Sequence, residues 1–299
     1  MPASRSRTHE WKRLLHQIAE RGGAIEIAIA HPDHDDSEPD GHAPGPDLVW
    51  RVRIIEIVDG EILAESPMAL GRDMHIDTGT ELAAAITVGQ NRWTFRTVNL
   101  GEVKADRRHP HPMLRLRMPE GVARSQRRRL RVDTQGITLP RVELWPLLDP
   151  KSVIPAERAT ELAWEAWQKG QPLEGDGTLP ASVMPEVGPR FTAELANLGG
   201  GGVGLIVGPD DAGALGRHRV LWLRLSLAPE VGVPLCVSGK VVHTHIDSTQ
   251  NTYVGIAFDF SFNTAHQKMV ADQILSYIEA KQELQRQARE HRNQTGDAA

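Results

Sequence analysis

The chain is short of cysteine and of long apolar runs, and each absence excludes a class of protein. It has 299 residues and one cysteine, Cys236, so an internal disulfide and a thiolate metal cluster are excluded. No run of about 18 apolar residues occurs, so no transmembrane helix is predicted. The opening MPASRSRTHEWKRLLHQ has no apolar stretch of the kind a secretory signal needs. We therefore expect a cytoplasmic protein without a membrane span, in which Cys236 fills a core.

A general nucleic-acid-binding role is also disfavoured. The formal net charge is -5, although a local basic patch can override the total. Such a patch exists in ARSQRRRLRVDTQ, which places Arg124, Arg127, Arg128, Arg129 and Arg131 within a short segment. Proteins that bind single-stranded nucleic acids combine basic residues with interleaved aromatic ones, and positions 122–138 contain no aromatic residue. The arginine cluster therefore favours a small anionic ligand over RNA or DNA.

The sequence pattern predicts a mainly β protein made of two small β-barrels. Residues 1–118 are expected to form a barrel behind one helix, with a hairpin at Asp59–Gly60 between two alternating runs. An arginine-rich interdomain loop is expected at 119–132, and a second barrel at 133–283. An insertion at about 146–188 carries a tryptophan-bearing helix. A long C-terminal helix ends in a polar tail, 284–299, which is expected to project into solvent or dock on a partner.

Two groups of histidine and aspartate raise the question of a metal site. The loop HPDHDDSEPDGHAPGPD has no spacing imposed by a helix or strand, so a surface loop is expected. His243, His245 and Asp247 alternate along a predicted strand and share one face, but no further ligand can be identified. We expect a solvent-facing strand there, no metal and no cofactor. No nucleophile–base arrangement is evident, so the chain is not expected to be an enzyme.

Arginine and glycine together suggest binding of a phosphate-containing ligand. A guanidinium can grip a pair of phosphate oxygens or the O6 and N7 atoms of guanine. In NLGGGGVGL, four consecutive glycines, Gly199 to Gly202, allow the backbone N–H groups to converge on an anion. Asn197 adds an amide that can pair with a base or cap the turn. The alternative is that the glycines only turn a corner between two strands.

These segments resemble the two motifs of PilZ domains, small β-barrels that bind the bacterial second messenger cyclic di-GMP. QRRRLRV resembles the RxxxR motif and NLGGGG the [D/N]xSxxG motif, in the family's order and before a glycine-bearing strand, YVGIAFDF. The N-terminal barrel, with VWRVRIIEIVDGEILAES, resembles the companion split barrel of the flagellar brake proteins. The resemblance covers most of the chain.

The resemblance implies a set of ligand-binding residues. Its members occupy, or lie inside, the two motifs: Arg127, Arg128, Arg131, Asn197, Gly199 and Gly202. Gly199 stands where the family has serine, so one hydroxyl contact is missing, at a cost of roughly 1.5–3 kcal/mol if nothing replaces it. The insertion between the motifs is long for the family. It could shield the pocket, contact the ligand or form a partner surface.

The implied function is that of a cyclic di-GMP receptor without enzymatic chemistry. Ligand binding would order the arginine loop, change the orientation of the two domains and signal to a protein partner. By analogy with the brake family, that partner would be a flagellar motor component at the basal body. Three alternatives remain open: a degenerate scaffold that binds no nucleotide, a flavin-binding split-barrel enzyme, and a nucleic-acid-binding protein.

Overall fold

The computed structural model of the protein describes residues 11–30, 48–88, 91–126, 140–172, 179–180, 182–199, 201–246 and 250–296. The described residues fall into two compact units. The N-terminal unit takes those up to 68, from 73 to 126 and from 281 to 296. The C-terminal unit takes 69–72 and those from 140 to 280.

The N-terminal unit is a closed six-stranded antiparallel barrel. Its first elements are α1 (Trp11–Glu20), β1 (Ala24–Ile29), β2 (Trp50–Val58) and β3 (Glu61–Glu65). A hairpin of two short strands, β4 (Met68–Ala69) and β5 (Arg72–Asp73), follows β3, and its residues 69–72 belong to the C-terminal unit. The N-terminal unit continues with β6 (Glu81–Val88), β7 (Asn91–Val103), β8 (Met113–Arg117) and β9 (Ala123–Gln126). The barrel order is β1, β6, β7, β8, β3 and β2, and β2 pairs back to β1. Strand β9 adds to β7.

The hairpin predicted at Asp59–Gly60 is confirmed. Strand β2 alternates buried and exposed side chains along its first five residues, as a strand with one face on a core should. Asp59 and Gly60 both adopt positive φ, 51° and 78°, which gives the twist that a two-residue hairpin needs. Val58 pairs with Glu61 across this turn.

The C-terminal unit is a second closed six-stranded barrel. Its elements are β10 (Arg141–Pro146), a 3-10 turn (Pro150–Ser152), α2 (Val153–Gln168), β11 (Phe191–Gly199), β12 (Gly202–Val207), α3 (Ala212–Arg217), β13 (Val220–Leu225), β14 (Leu235–Ile246), β15 (Thr252–Phe258) and the start of α4 (Thr264–Gly296). The strand order is β10, β11, β12, β15, β14 and β13, and β13 pairs back to β10. The predicted mainly β class, with two barrels, an inserted helix and a long last helix, is confirmed.

The predicted insertion helix covers part of the outside of the second barrel. Val153 and Ala156 of α2 pack with Trp222 of β13 and Cys236 of β14. Cys236 is 1% exposed, which confirms its expected role as a core filler. Gly170, which follows the helix, adopts a φ of 67°, as a residue just past a helix end commonly does.

Two expectations, one about the segment between the barrels and one about the end of the last helix, are wrong in part. The segment 119–132 was expected to be a loop, but Ala123–Gln126 forms β9 and pairs with Asn91–Thr94 of β7. The helix beyond Leu284 was expected to project into solvent or dock on a partner, but Gln285 is 4% exposed. Its amide nitrogen donates to the Glu81 carbonyl at 2.8 Å. An amide side chain can satisfy strand backbone groups in this way, which polar composition alone does not predict.

No helix in the described ranges is long and apolar enough to cross a bilayer.

Candidate ligand-binding site

The structure describes half of the residues that the motifs implied. Asn197, Gly199 and Gly202 lie on the hairpin formed by β11 and β12. Gly199 is the last residue of β11 and Gly202 the first of β12, and the two residues pair. Arg127, Arg128 and Arg131 lie outside the described residues, directly after β9.

The three described residues belong to a surface of the second barrel that crosses four strands, β11, β12, β15 and β14. Two rows of residues run across it. The first row is Gly199, Gly202, Ala257 and Lys240. The second row is Asn197, Gly204, Gly255 and His243. Four of these eight positions are glycine, and we call Gly199, Gly202, Gly204 and Gly255 the glycine floor.

Two β-bulges place the polar side chains of the second row on the outside. Leu195 and Leu198 of β11 are buried, and the register shift between Leu195 and Asn197 leaves Ala196 as the extra residue. If β11 continued as a regular strand with Ala196 in the pairing, Asn197 would face the barrel interior like Leu195, because side chains alternate along a strand. A matching shift in β14 lies between Val241, which is buried, and His243, which is exposed.

Glycine is required at three positions of the floor, for two different reasons. At Gly202 a Cβ would collide with the backbone oxygen of Ile256 in β15, and a paired strand cannot move away without losing its ladder. At Gly204 and Gly255 the space is filled by side chains. A Cβ on Gly204 would meet the Tyr253 hydroxyl and the Asn197 amide, and one on Gly255 would meet the His243 ring.

Gly199 differs from the rest of the floor because it has room. Among the described residues beyond its chain neighbours, the one atom within 4 Å of a Cβ placed there is the Gly202 backbone oxygen, at the ordinary contact distance of 3.7 Å. Its φ is not in the left-handed region. Nothing in the described structure therefore requires glycine at this position, and a side chain there would be sterically tolerated.

The side chains over the glycine floor contact one another. The Asn197 amide nitrogen donates to the Tyr253 hydroxyl at 3.1 Å. The rings of Tyr253 and His243 are stacked, with centroids 5.8 Å apart and planes 25° from parallel. This arrangement presents an amide and two aromatic rings beside backbone that carries no side chains, which suits a flat polar ligand.

Lys240 provides the positive charge among the described residues of the two rows. Its ammonium lies 2.8 Å from an Asp259 carboxylate oxygen, and its side chain is exposed. Burial raises the pKa of Asp259, but hydrogen bonds from Lys240 and Ser261 outweigh it and hold that pKa below its ordinary value. Asp259 therefore stays ionised and offsets part of the Lys240 charge.

Sequence reasoning identified the hairpin but missed Gly204, Gly255 and Tyr253. His243 was expected on a solvent-facing strand together with His245, and both are exposed on β14, as predicted. The signal that could have found the others was the pairing of two glycine-bearing strands, GVG in β12 and YVG in β15. The sequence could not predict which residues of these strands face one another, because the pairing depends on the two bulges.

A second polar cluster lies beneath α2, away from the glycine floor. Glu157 is 1% exposed, and burial raises its pKa to about 8, with the neighbouring Glu161 adding to the shift and a hydrogen bond from Asn263 opposing it. His266 is fully buried; its Nε2 lies 2.8 Å from the Cys236 carbonyl oxygen and its Nδ1 3.3 Å from Glu161. Burial lowers the pKa of His266. These contacts hold α2 and the start of α4 against the barrel.

Metal binding finds no support in the described part of the chain. No group of three or more His, Cys, Asp or Glu side chains there could hold a metal ion. The histidine-rich segment 31–47 and Asp247 lie outside the described residues.

Comparison with known proteins gives matches among solved structures. No protein-family model matches the chain, and no curated protein matches it. The Bacillus subtilis inhibitor of motility MotI/DgrA is 16% identical, with 87% of this chain and 96% of that chain covered and a TM-score of 0.29. YcgR from Escherichia coli, in complex with c-di-GMP, is 9% identical, with 95% and 93% covered and a TM-score of 0.27.

MrkH from K. pneumonia, also as a c-di-GMP complex, is 14% identical, with 92% of this chain and 96% of that chain covered and a TM-score of 0.28. These neighbours are PilZ-domain proteins, the family that the two motifs resemble. TM-scores this low carry no argument about function, which depends on the residues of the site.

Proposed function

We propose that the protein is a receptor for cyclic di-GMP that binds the ligand on the β11–β12 face of the second barrel. The observation that carries the proposal is the glycine floor beside Asn197. Gly199 leaves room at the edge of this floor, and Gly204 and Gly255 let the Asn197 amide and the Tyr253 and His243 side chains lie close against the sheet. The second motif, which the sequence resemblance connects to cyclic di-GMP, lies at its edge.

The arginines of the first motif supply the charge that the floor lacks. Cyclic di-GMP carries two phosphates and two guanines, and Arg127 and Arg131 match the family's two phosphate- and base-gripping positions. A guanidinium can bind phosphate oxygens in pairs and stack on a base. The proposal therefore requires the segment after β9 to close over the face that contains Asn197 and Gly202.

Signalling follows from where the arginine segment lies in the chain. It joins β9, the last strand of the first unit, to β10, the first strand of the second barrel. Ordering this segment on a ligand would restrict the arrangement of the two units and favour one population of states. A protein partner, expected from the family resemblance to be a flagellar motor component, would bind that state. No bond of the ligand is made or broken in this scheme.

Calorimetric titration of the purified protein with cyclic di-GMP tests the proposal. We expect saturable heat with the wild type and its loss in Arg127→Ala, because the guanidinium fork is removed. Arg107→Ala is the matched control, since Arg107 is an exposed arginine of the first unit outside both motifs. Equal weakening in both variants, or equal competition by GMP, would indicate a loose anion site and contradict the proposal.

One observation favours a second function. Gly199 lacks the hydroxyl that the family places at this position, which fits a degenerate PilZ protein that serves as an interaction scaffold. The scaffold predicts no heat and no thermal shift at high concentrations of cyclic di-GMP. The same titration therefore separates the two functions.

A further inference from the structure

Two glycines lie side by side on neighbouring strands, and aromatic or amide side chains cover both. Gly204 of β12 pairs directly with Gly255 of β15. The Tyr253 hydroxyl and the Asn197 amide lie over Gly204, with the amide oxygen 2.9 Å from where a Cβ would be. The His243 ring lies over Gly255. Any larger residue at either glycine would push these groups off the sheet.

The His243 ring covers Gly255 with its face. Three consecutive ring atoms lie against the Cβ position of Gly255, with Nδ1 at 2.6 Å and Nε2 at 2.7 Å on either side of the nearest atom, Cε1. A ring that met the glycine edge-on would hold both nitrogens farther away. The Tyr253 ring lies beside the His243 ring, with centroids 5.8 Å apart and planes 25° from parallel. We call this near-parallel pair of rings the aromatic platform.

The platform is accessible and lies on the face where the ligand is proposed to bind. His243 is exposed and Tyr253 is half-buried. Both residues share the outer face with Gly202 and Lys240, within one or two residue pairs along the strands. A π-face of this kind binds nucleic-acid bases by stacking, and each stacked base contributes about 1–3 kcal/mol.

From this geometry we infer that the aromatic platform of Tyr253 and His243 stacks one guanine of the bound nucleotide. The inference rests on the proposed function and assigns base-contacting residues beyond the two motifs. Asn197 borders the platform, and its amide nitrogen is held by Tyr253. The amide oxygen is thus oriented as an acceptor, which suits the N1–H and N2–H donors on the Watson–Crick edge of guanine. Adenine lacks both donors.

Ring-deleting and ring-retaining variants test the platform. We expect Tyr253→Leu to weaken cyclic di-GMP binding roughly five- to a hundredfold in calorimetry, the range of one lost base stack. Tyr253→Phe, which keeps the ring, is expected to stay within about threefold of the wild type. His243→Ala and His243→Phe repeat the comparison at an exposed position, where misfolding is not a concern. Thermal unfolding checks that each variant is folded.

A spectroscopic measurement separates stacking from an indirect effect. A stacked purine shifts nearby ring protons upfield, so the Cε1 proton of His243 should move in NMR spectra as cyclic di-GMP is added. Unchanged affinity in both ring-deleting variants, with wild-type binding intact, would overturn the platform and leave the proposed function standing. Tighter binding in Tyr253→Leu would overturn it too, because the rings would then occupy the ligand's place. A wild type that binds no cyclic di-GMP would overturn both.

Discussion

Substituting serine for Gly199 should strengthen the binding of cyclic di-GMP. The position has steric room, since the nearest atom beyond the adjoining residues lies 3.7 Å from where a Cβ would be, and its backbone is not left-handed. A serine there would point outward on the same face as Asn197, because the pairing of Gly199 with Gly202 continues the outward row. The change would restore the hydroxyl of the [D/N]xSxxG motif.

The size of the effect follows from the charge on the ligand. A hydrogen bond to a charged group contributes about 1.5–3 kcal/mol, which corresponds to a gain of roughly ten- to a hundredfold in affinity. The substitution should cost the fold little. Replacing glycine where the backbone conformation is permitted stabilises a protein by about 0.4–1 kcal/mol, because the unfolded chain loses freedom.

Gly199→Ala is the matched control for this experiment. It makes the same backbone change without a hydroxyl, so the affinity ratio of the serine to the alanine variant isolates the hydrogen bond. Isothermal titration of both variants and the wild type with cyclic di-GMP gives that ratio, and thermal unfolding gives the effect on the fold. Equal affinities for the serine and alanine variants would refute the reasoning, as would a serine variant that binds more weakly than the wild type.

Three other predictions concern the second barrel. Gly202→Ala should lower the free energy of unfolding by about 1–3 kcal/mol, because a Cβ there collides with the Ile256 backbone oxygen; urea unfolding of this variant beside Gly199→Ala measures it, and equal stabilities would contradict it. Glu157 titrates near 8 in the folded protein and near 4.5 when unfolded, so wild-type stability should fall as pH rises from about 4.5 to about 8. Glu157→Gln should remove that fall, so its free energy of unfolding should exceed that of the wild type by roughly 2–5 kcal/mol at pH 8.5 and by little at pH 4. Parallel curves of stability against pH for the two proteins would argue against this. Burial raises the pKa of Cys236 to about 12, so a thiol reagent should label it only after unfolding; fast labelling of the native protein would show that α2 does not cover it.

Local signals were enough to predict most of the fold. The positive φ values at Asp59 and Gly60 and the end of α2 near Gly170 follow from residues adjacent in sequence, and turn chemistry can be read from such neighbours. Strand β9 could not be predicted from the sequence, because it has only four residues and pairs with residues of β7 that lie about thirty positions earlier. The burial of Gln285 likewise depends on strand backbone that is distant in sequence.

The residues of the candidate site also fall into two groups, those that a local motif identifies and those that strand pairing brings close. Asn197, Gly199 and Gly202 lie close together in sequence, so a motif finds them. Strand pairing brings Tyr253 and His243 close to these motif residues, and no local sequence pattern predicts the register of β15 against β12 and β14. The bulge in each flanking strand moves the pairing by one residue, which changes the face to which every later side chain points.

The extra residue in β11 consequently decides which face of the strand the residues after it occupy. If β11 ran on as a regular strand, with Ala196 paired with Gly204, Asn197 would turn toward the barrel interior, where Leu195 now packs. Leu198 would turn outward in exchange. One unpaired residue thus separates a surface that offers an amide to a ligand from one that offers a leucine, although the strand has the same composition in both.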